Sequence, residues 1–262
     1  MTVLEQLDVD DIDRSLSAFR DALKLHREAI NALNVYPVPD GDTGTNMSLT
    51  LDSVVAELAS APADAAARWK AISHGSLMGA RGNSGVILSQ ILRGLADTLG
   101  AAPAVTPQTL ADAFSVAAEA AYGAVMKPVE GTILTVMGDV AAEAGHAADD
   151  DESLVRLLER CAREGKRSLD NTPELLPVLK DAGVVDAGGA GLLLLIDGLL
   201  HVVDGRDLPP APDIQRAVAA VPTARPDVHA TDRPDVSELR YEVMFFLCLL
   251  YTSDAADERV RV

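Results

Sequence analysis

Cysteine and aromatic residues are scarce in this chain. Only 2 of its 262 residues are cysteine, and 3% are aromatic. Two cysteines do not make the disulfide framework of a small secreted domain, and Cys161 and Cys248 show no metal-ligand spacing. We therefore expect a reducing, cytoplasmic location. Without aromatic residues the core must be built from Ala, Leu, Val and Ile, which favours closely packed helices over a β-sandwich.

Positive charge and long apolar runs are also lacking. Lysine and arginine number 22 against 40 acidic residues, for a net charge of −18. A nucleic-acid-binding protein needs a basic stripe, and none is present, so nucleic acid is excluded as a partner. The longest apolar run, residues 187–200, is interrupted by Asp197 and rich in glycine, which predicts a buried helix and no membrane span. The acidic N-terminus has no apolar core of a signal peptide.

Helical periodicity dominates the first 204 residues. Apolar residues recur at spacings of three, four and seven between Ile12 and Leu33, and Pro37 and Pro39 end this segment. Further helices are predicted at about 46–58, 64–78, 86–99, 107–126, 149–169 and 187–203, with a short helix opening at Thr172-Pro173. Alternating strand patterns are nearly absent. The prediction is an all-α, antiparallel helical bundle or barrel.

The segment NVYPVPDGDTGTNM, residues 34–47, interrupts this pattern. Gly41 allows a bend that turns Asp40 and Asp42 toward one point, where a hard cation such as Mg²⁺ would neutralise them. A helix follows, and free amides at its start would attract phosphate. A plain solvated turn before a capped helix is an equally good interpretation of this segment alone. An EF-hand is excluded, because Thr45 and Leu51 stand where that loop needs glycine and glutamate.

Three other glycine-containing junctions precede predicted helices. The first holds Gly82, Asn83, Ser84 and Gly85, and it lacks the lysine of a Walker A loop. Its backbone amides suit phosphate oxygens, but for this loop alone a simple helix–helix turn is the favoured interpretation. The second places Thr132 as a helix N-cap, and the third centres on Asp186. In an up-and-down bundle alternate loops gather at one end, so these junctions would form one phosphate site.

The chain changes character after residue 204. Six prolines between residues 209 and 234 predict a linker over 205–237. The segment LRYEVMFFLCLLY, within 238–262, has the composition of a strand, but one strand does not make a domain. We expect residues 238–262 to be a fragment of a second domain, with a non-native tail from about Leu249.

Four segments in this order carry a family resemblance: NVYPVPDGDTGTNM, GSLMGARGNSGVILSQILRG, KPVEGTILTV and LPVLKDAGVVDAGGAGLLLLIDGL. Together they resemble the DhaL-type nucleotide-binding domain of the dihydroxyacetone kinase superfamily over residues 1–204. The bacterial branch that contains the ATP-binding subunit of fatty acid kinase is the most similar. The resemblance implies an all-α barrel with ATP and two Mg²⁺ ions at one end.

The resemblance also implies roles for individual residues. Asp40 and Asp42 match metal-binding and catalytic aspartates, and Asn34 falls where dihydroxyacetone kinases carry a third one, with a spacing that differs by one residue. The remaining positions match loops that touch the nucleotide: Thr43, Thr45, Asn46, Met47, Gly82, Asn83, Ser84, Gly85, Thr132, Asp186 and Gly188.

The function implied is phosphoryl transfer from ATP to a fatty acid carboxylate. In that family a separate carrier protein of the DegV type presents the acid, and further domains mediate its docking and homodimerisation. Two alternatives stay open: a nucleotide-binding subunit of dihydroxyacetone kinase, and a non-catalytic ATP- or ADP-binding regulator.

Overall fold

The structure is a computed structural model that describes residues 3–210. The predicted linker beyond residue 210 and the strand-like segment lie outside the described residues. Within them the chain forms nine α-helices and no strand beyond one isolated bridge: α1 (Val9–Leu33), α2 (Thr43–Ser60), α3 (Ala65–Gly79), α4 (Gly82–Gly100), α5 (Pro107–Gly123), α6 (Ile133–Asp149), α7 (Leu154–Leu175), α8 (Pro177–Ala182) and α9 (Ala187–Asp204). The predicted all-α class is confirmed.

The helices close into a barrel. Each of α1 to α7 packs against the next, α9 packs against α7, and the ring closes where α9 lies against α1. Its core is aliphatic, with Phe19 and Phe114 as the two large aromatic side chains that are fully buried. Antiparallel neighbours place alternate loops at the same end. Helices α2, α4, α6 and α9 therefore all begin at one end of the barrel, which we call the junction end.

The opposite end is fastened by backbone hydrogen bonds. Leu7 and Val105 exchange a pair of 2.9 Å hydrogen bonds, and the amide of Leu4 donates to the carbonyl of Val203 at 2.9 Å. Gly205 then ends α9 in a left-handed conformation. The chain turns back along the barrel, and the Pro209 carbonyl meets Nε2 of His26 at 3.0 Å. The end away from the junctions is thus closed by its own chain.

Helix α9 is the apolar run that was predicted to be a buried helix. By length and composition alone it qualifies as a membrane-crossing segment, but 72% of it is buried inside the barrel. Three glycines in its first two turns let neighbouring helices approach closely; at Gly191, for example, an added Cβ would lie 2.7 Å from the Met47 sulfur. The apolar composition of α9 is that of a core helix.

Several helix boundaries differ from the predicted ones. Helix α2 begins at Thr43, three residues early, and α4 begins at Gly82, so the predicted Gly82–Gly85 loop is the first turn of a helix. The prediction that Thr172-Pro173 opens a short helix is wrong. Pro173 lies within the last turn of α7, and the short helix α8 starts at Pro177 instead. Proline suits the first position of a helix, and the sequence offers two such positions four residues apart.

Candidate functional site

The junction end collects the four segments that precede α2, α4, α6 and α9. We call them junction A (residues 34–42), junction B (80–81), junction C (124–132) and junction D (183–186). Three close packing contacts between the helix starts connect them. At Gly82 an added Cβ would lie 2.4 Å from Nδ2 of Asn46. At Gly191 it would lie 2.7 Å from the Met47 sulfur, and at Gly188 it would lie 3.1 Å from Cβ of Ile133. The predicted gathering of the loops is therefore seen in the structure.

A small apolar cluster packs against three of these junctions. Leu176, Leu179 and Val184 are buried together, and Val35 and Tyr36 of junction A and Val129 of junction C pack against them. The cluster is separate from the barrel core. It holds junctions A, C and D in one layer.

Junction A brings two carboxylates and an amide together. Asp40 is exposed and Asp42 is half-buried, on either side of Gly41 with its left-handed φ of 68°. Desolvation and the neighbouring charge of Asp42 raise the pKa of Asp40. Asn34 is buried, and its Nδ2 donates to the Val38 carbonyl at 3.1 Å and to Oδ1 of Asp40 at 3.4 Å. Asn34 thus fixes both the loop and the first carboxylate.

This donor set fits a hard cation. Oδ1 of Asn34 is buried and accepts no hydrogen bond, so junction A holds one unpartnered amide oxygen besides the two carboxylates. Oxygen ligands of this kind are those that Mg²⁺ prefers, and Mg²⁺ usually keeps several waters instead of a full protein cage. Within residues 3–210 no group of three or more His, Cys, Asp or Glu side chains has the arrangement of a metal site. Asp40, Asp42 and Asn34 are the residues that would hold the ion.

The start of α2 offers two backbone amides. Its N-cap residue, Asp42, makes no side-chain cap. The amide of Thr45 is already used, because it donates to Oδ1 of Asn31 at 3.1 Å, while Nδ2 of Asn31 donates to the Thr45 hydroxyl. The amides of Thr43 and Gly44 remain, at the positive end of the helix dipole and next to the carboxylates.

The start of α4 is also uncapped. Arg81 is its N-cap residue and makes no side-chain cap, so the amides of Gly82, Asn83 and Ser84 have no partner within the described part of the chain. Gly85 is buried where an added Cβ would lie 2.6 Å from Oγ1 of Thr50. Together α2 and α4 present five free amides on adjacent helix starts, which is an anion-binding arrangement.

The other two helix starts are capped by their own side chains. The Thr132 hydroxyl accepts from the amide of Leu134 at 3.3 Å, as predicted for an N-cap. Asp186 is 6% exposed, and its Oδ2 accepts from the amide of Gly189 at 2.7 Å. The amides of Gly188 and Ile133 also favour its charged form, but burial prevails and raises its pKa to about 6. The side chains of Thr132 and Asp186 therefore serve the scaffold of the site, and Met47 is fully buried in the core.

Sequence reasoning missed three polar residues that shape this end of the barrel. Asn31 clamps Thr45, the Thr50 hydroxyl contacts the carbonyls of Asn46 and Gly79, and Oγ1 of Thr172 accepts from the amide of Asp186. Each lies inside a helix. Their signal in the sequence is weak: all are polar residues that are disfavoured in helix interiors unless their side chains find a partner.

Comparison with known proteins identifies the family. The sequence profile of the DAK2 domain matches residues 37–201. A protein of Staphylococcus haemolyticus, described as uncharacterized, is 46% identical over 187 residues, which are 71% of this chain and 34% of that protein. An uncharacterized protein of Staphylococcus aureus is 47% identical over 184 residues, or 70% and 34% of the two chains. The chain belongs to the DAK2 domain family, and it spans about a third of the length of these relatives.

A solved structure shares the fold. The crystal structure of the dihydroxyacetone kinase from C. freundii in complex with AMP-PNP and Mg²⁺ superposes with a TM-score of 0.52 and 16% sequence identity. The match covers 74% of this chain and 33% of the kinase chain. The DAK2 match over residues 37–201, together with this shared fold, confirms the superfamily that the four sequence segments resemble.

Proposed function

We propose that this chain is the Mg²⁺- and ATP-binding kinase domain of a fatty acid kinase. It would transfer the γ-phosphoryl group of ATP to a fatty acid carboxylate held by a separate carrier protein. The observation that carries the proposal is the pairing of Asp40 and Asp42 with the two uncapped helix starts of α2 and α4. Carboxylates that hold a cation and amides that hold phosphate oxygens are the two parts that phosphoryl transfer from a metal–nucleotide complex requires.

The chemistry asks for positioning more than for proton transfer. An oxygen of the ionised acid attacks the γ-phosphorus, the bond to the bridging oxygen of ADP breaks, and the products are acyl phosphate and ADP. No proton has to be removed from a carboxylate at neutral pH. The histidines in the described part of the chain accord with this, since His26, His74, His146 and His201 all lie on helices and outside the four junctions.

In this proposal each part of the site has its own role. Asp40, Asp42 and Asn34 would hold Mg²⁺, which when bound neutralises phosphate charge. The amides of Thr43, Gly44, Gly82, Asn83 and Ser84 would bind phosphate oxygens. Thr132 and Asp186 would keep junctions C and D in place around the nucleotide. We also propose that the protein is cytoplasmic, that its carrier is of the DegV type, and that its longer relatives form homodimers through further domains.

A nucleotide-binding subunit of dihydroxyacetone kinase is the second candidate. The fold shared with the C. freundii enzyme favours it. Phosphorylation of dihydroxyacetone ordinarily needs a partner domain that holds the ketone through a histidine. A regulator that binds nucleotide without turnover is the third candidate, and it differs from both kinases in giving no phosphorylated product.

Calorimetric titration tests the shared part of these proposals. AMP-PNP is titrated into the chain with Mg²⁺ and then with EDTA, using wild type and Asp40→Ala. Wild type should bind saturably only with Mg²⁺, and Asp40→Ala should lose this binding because one of the two carboxylates is gone. Glu119→Ala, at an exposed position on α5, controls for the change of net charge. Near-normal binding by Asp40→Ala would contradict the metal assignment.

Product analysis then separates the candidates. The chain is incubated with ATP, Mg²⁺ and either a DegV-type protein loaded with fatty acid or dihydroxyacetone with its own partner subunit. Trapping of acyl hydroxamate by hydroxylamine supports the fatty acid kinase. Dihydroxyacetone phosphate supports the second candidate, and binding without either product supports the regulator.

A further inference from the structure

Arg81 is the N-cap residue of α4, one of the two uncapped helix starts. It is the residue before Gly82, whose backbone lies against Asn46 in the first turn of α2. Its side chain is exposed, and Nη1 donates to the carbonyls of Ala80 at 2.9 Å and Met78 at 3.3 Å. These carbonyls belong to the end of α3. They anchor the guanidinium by one nitrogen and leave its other N–H groups unused.

Most arginines in residues 3–210 are neutralised by a carboxylate. Nine of the eleven form an ion pair, and only Arg81 and Arg163 do not. Arg163 lies in the middle of α7, away from the junctions. In a chain with a net charge of −18, an arginine without an acidic partner is unusual, and this one lies at the junction end.

Lys127 is the other junction-end cation that forms no ion pair in the described structure. Arg27 pairs with Glu28, and Lys180 pairs with Glu174. Lys127 is exposed in junction C, between α5 and α6, and makes no hydrogen bond there. Arg81 differs because its backbone abuts the α2 start and its side chain is anchored. Anchoring matters since a preorganised guanidinium loses less conformational freedom when it binds an anion.

The proposed reaction brings two anions together, the γ-phosphoryl group and a carboxylate. Backbone amides carry only partial charge, so a full positive charge beside them lowers the repulsion between these groups. We propose that Arg81 contacts the terminal phosphoryl group of bound ATP and acts as a catalytic residue. This inference rests on the proposed function. Because ADP lacks that phosphoryl group, Arg81 would make junction B distinguish ATP from ADP, which the backbone amides alone would not do.

The test compares two nucleotides in one binding assay. AMP-PNP and ADP are each titrated with Mg²⁺ into wild type, Arg81→Gln, Arg81→Lys and Lys127→Gln. Glutamine keeps an N–H donor for the carbonyls of Met78 and Ala80 but removes the charge. A charged hydrogen bond to phosphate is worth about 1.5–3 kcal/mol, so Arg81→Gln should weaken AMP-PNP binding about 10- to 100-fold. ADP binding by Arg81→Gln should change less than about twofold. Arg81→Lys keeps the positive charge, so its AMP-PNP binding should be weakened less than that of Arg81→Gln.

Each outcome decides the inference. Equal weakening for both nucleotides, or no weakening, overturns the role of Arg81 and leaves the proposed function standing. A selective loss in Lys127→Gln instead of Arg81→Gln assigns the role to Lys127 and overturns it as well. If wild type binds neither nucleotide, the proposed function fails and the inference fails with it. If the helical circular dichroism of Arg81→Gln differs from that of wild type, Arg81→Lys, which keeps the positive charge, decides instead: weakening that is equal for both nucleotides, or absent, overturns the inference.

Discussion

Asp186 is a carboxylate that lies buried where α6, α7 and α9 meet. Its backbone amide donates to Thr172 of α7, and its side chain accepts from the start of α9. A single residue therefore joins junction D to two other helices. Because the carboxylate is enclosed, its role at the junction end is the placement of neighbouring backbone.

The buried carboxylate predicts a pH dependence of stability. Burial raises the pKa of Asp186 from the ordinary 3.8 to about 6, so between these values the folded protein binds a proton that the unfolded chain does not. Stability from this residue is complete below pH 4 and is lost as pH rises through 6, by roughly 3 kcal/mol at about 1.4 kcal/mol per pKa unit. The unfolding free energy of wild type should therefore fall relative to that of Asp186→Asn as pH rises from 4 to 7.

Urea denaturation at several pH values measures that difference. Asp181→Asn, an exposed position in the same segment, controls for the loss of one negative charge. A wild-type-minus-variant difference that stays constant from pH 4 to pH 7 would show that Asp186 is ionised throughout and that the amides around it outweigh its burial.

At the scale of the elements, the contact between α1 and α2 positions junction A. Gly44 in the first turn of α2 lies against the backbone of α1, where an added Cβ would stand 2.4 Å from the Arg27 carbonyl oxygen. Backbone atoms at that distance must move, since no side chain can rotate away. The glycine thus sets the distance between the two helices, and with it the position of Asp42.

Gly44→Ala should separate α1 from α2. We expect a loss of about 1–3 kcal/mol in unfolding free energy, as for overpacking elsewhere, together with weaker binding of Mg²⁺–AMP-PNP. Gly145→Ala in α6 is the matched control, because an added Cβ there has no neighbour within 4 Å. It should stabilise the protein by about 0.5–1 kcal/mol through the higher helix propensity of alanine. Equal effects of the two substitutions in urea denaturation would contradict this packing role.

Helix type was predictable from the sequence, whereas the starts of α2 and α4 were not. The apolar repeat through α1 and the run in α9 exceed what a loop can carry, and both proved to be helices. A glycine such as Gly82 is interpreted as a loop residue because glycine is a poor helix former. In the barrel Gly82 begins a helix instead, because its close packing against Asn46 requires the absence of a side chain.

Capping was predictable at Thr132 but not at the other three junctions. Four junctions with similar composition suggested four similar phosphate-binding pieces. The structure divides them into two capped starts, held by Thr132 and Asp186, and two uncapped starts at α2 and α4. Whether a residue such as Asp42 caps its helix depends on its rotamer and on neighbours from distant segments, which a single sequence does not specify.

At the scale of the whole molecule, the site exists only when the barrel is closed. Junctions A to D are far apart in sequence and meet through contacts among α2, α4, α6 and α9. A nucleotide that bridges them binds the folded state alone. Its binding free energy is therefore added to the stability of the barrel.

Thermal unfolding should show this coupling. At about 100 times its dissociation constant, Mg²⁺–AMP-PNP should add about 2.7 kcal/mol to the unfolding free energy, or about 5–10 °C in Tm for a domain of this size. EDTA should abolish the shift, as should Asp40→Ala. A shift of the same size without Mg²⁺ would show that the amides bind the nucleotide without the carboxylates.

The two ends of the barrel differ in the connections that they carry. Junctions A to D lie at one end, and the turns between α2 and α3, α4 and α5, and α6 and α7 all lie at the other. The turn at residues 61–64 is largely exposed and makes few bonds beyond the cap of α3. The junction end can therefore keep its structure when a turn at the other end is changed. Protein engineers can graft a tag, a reporter or an entire domain into this turn without changing the shape of the junction end.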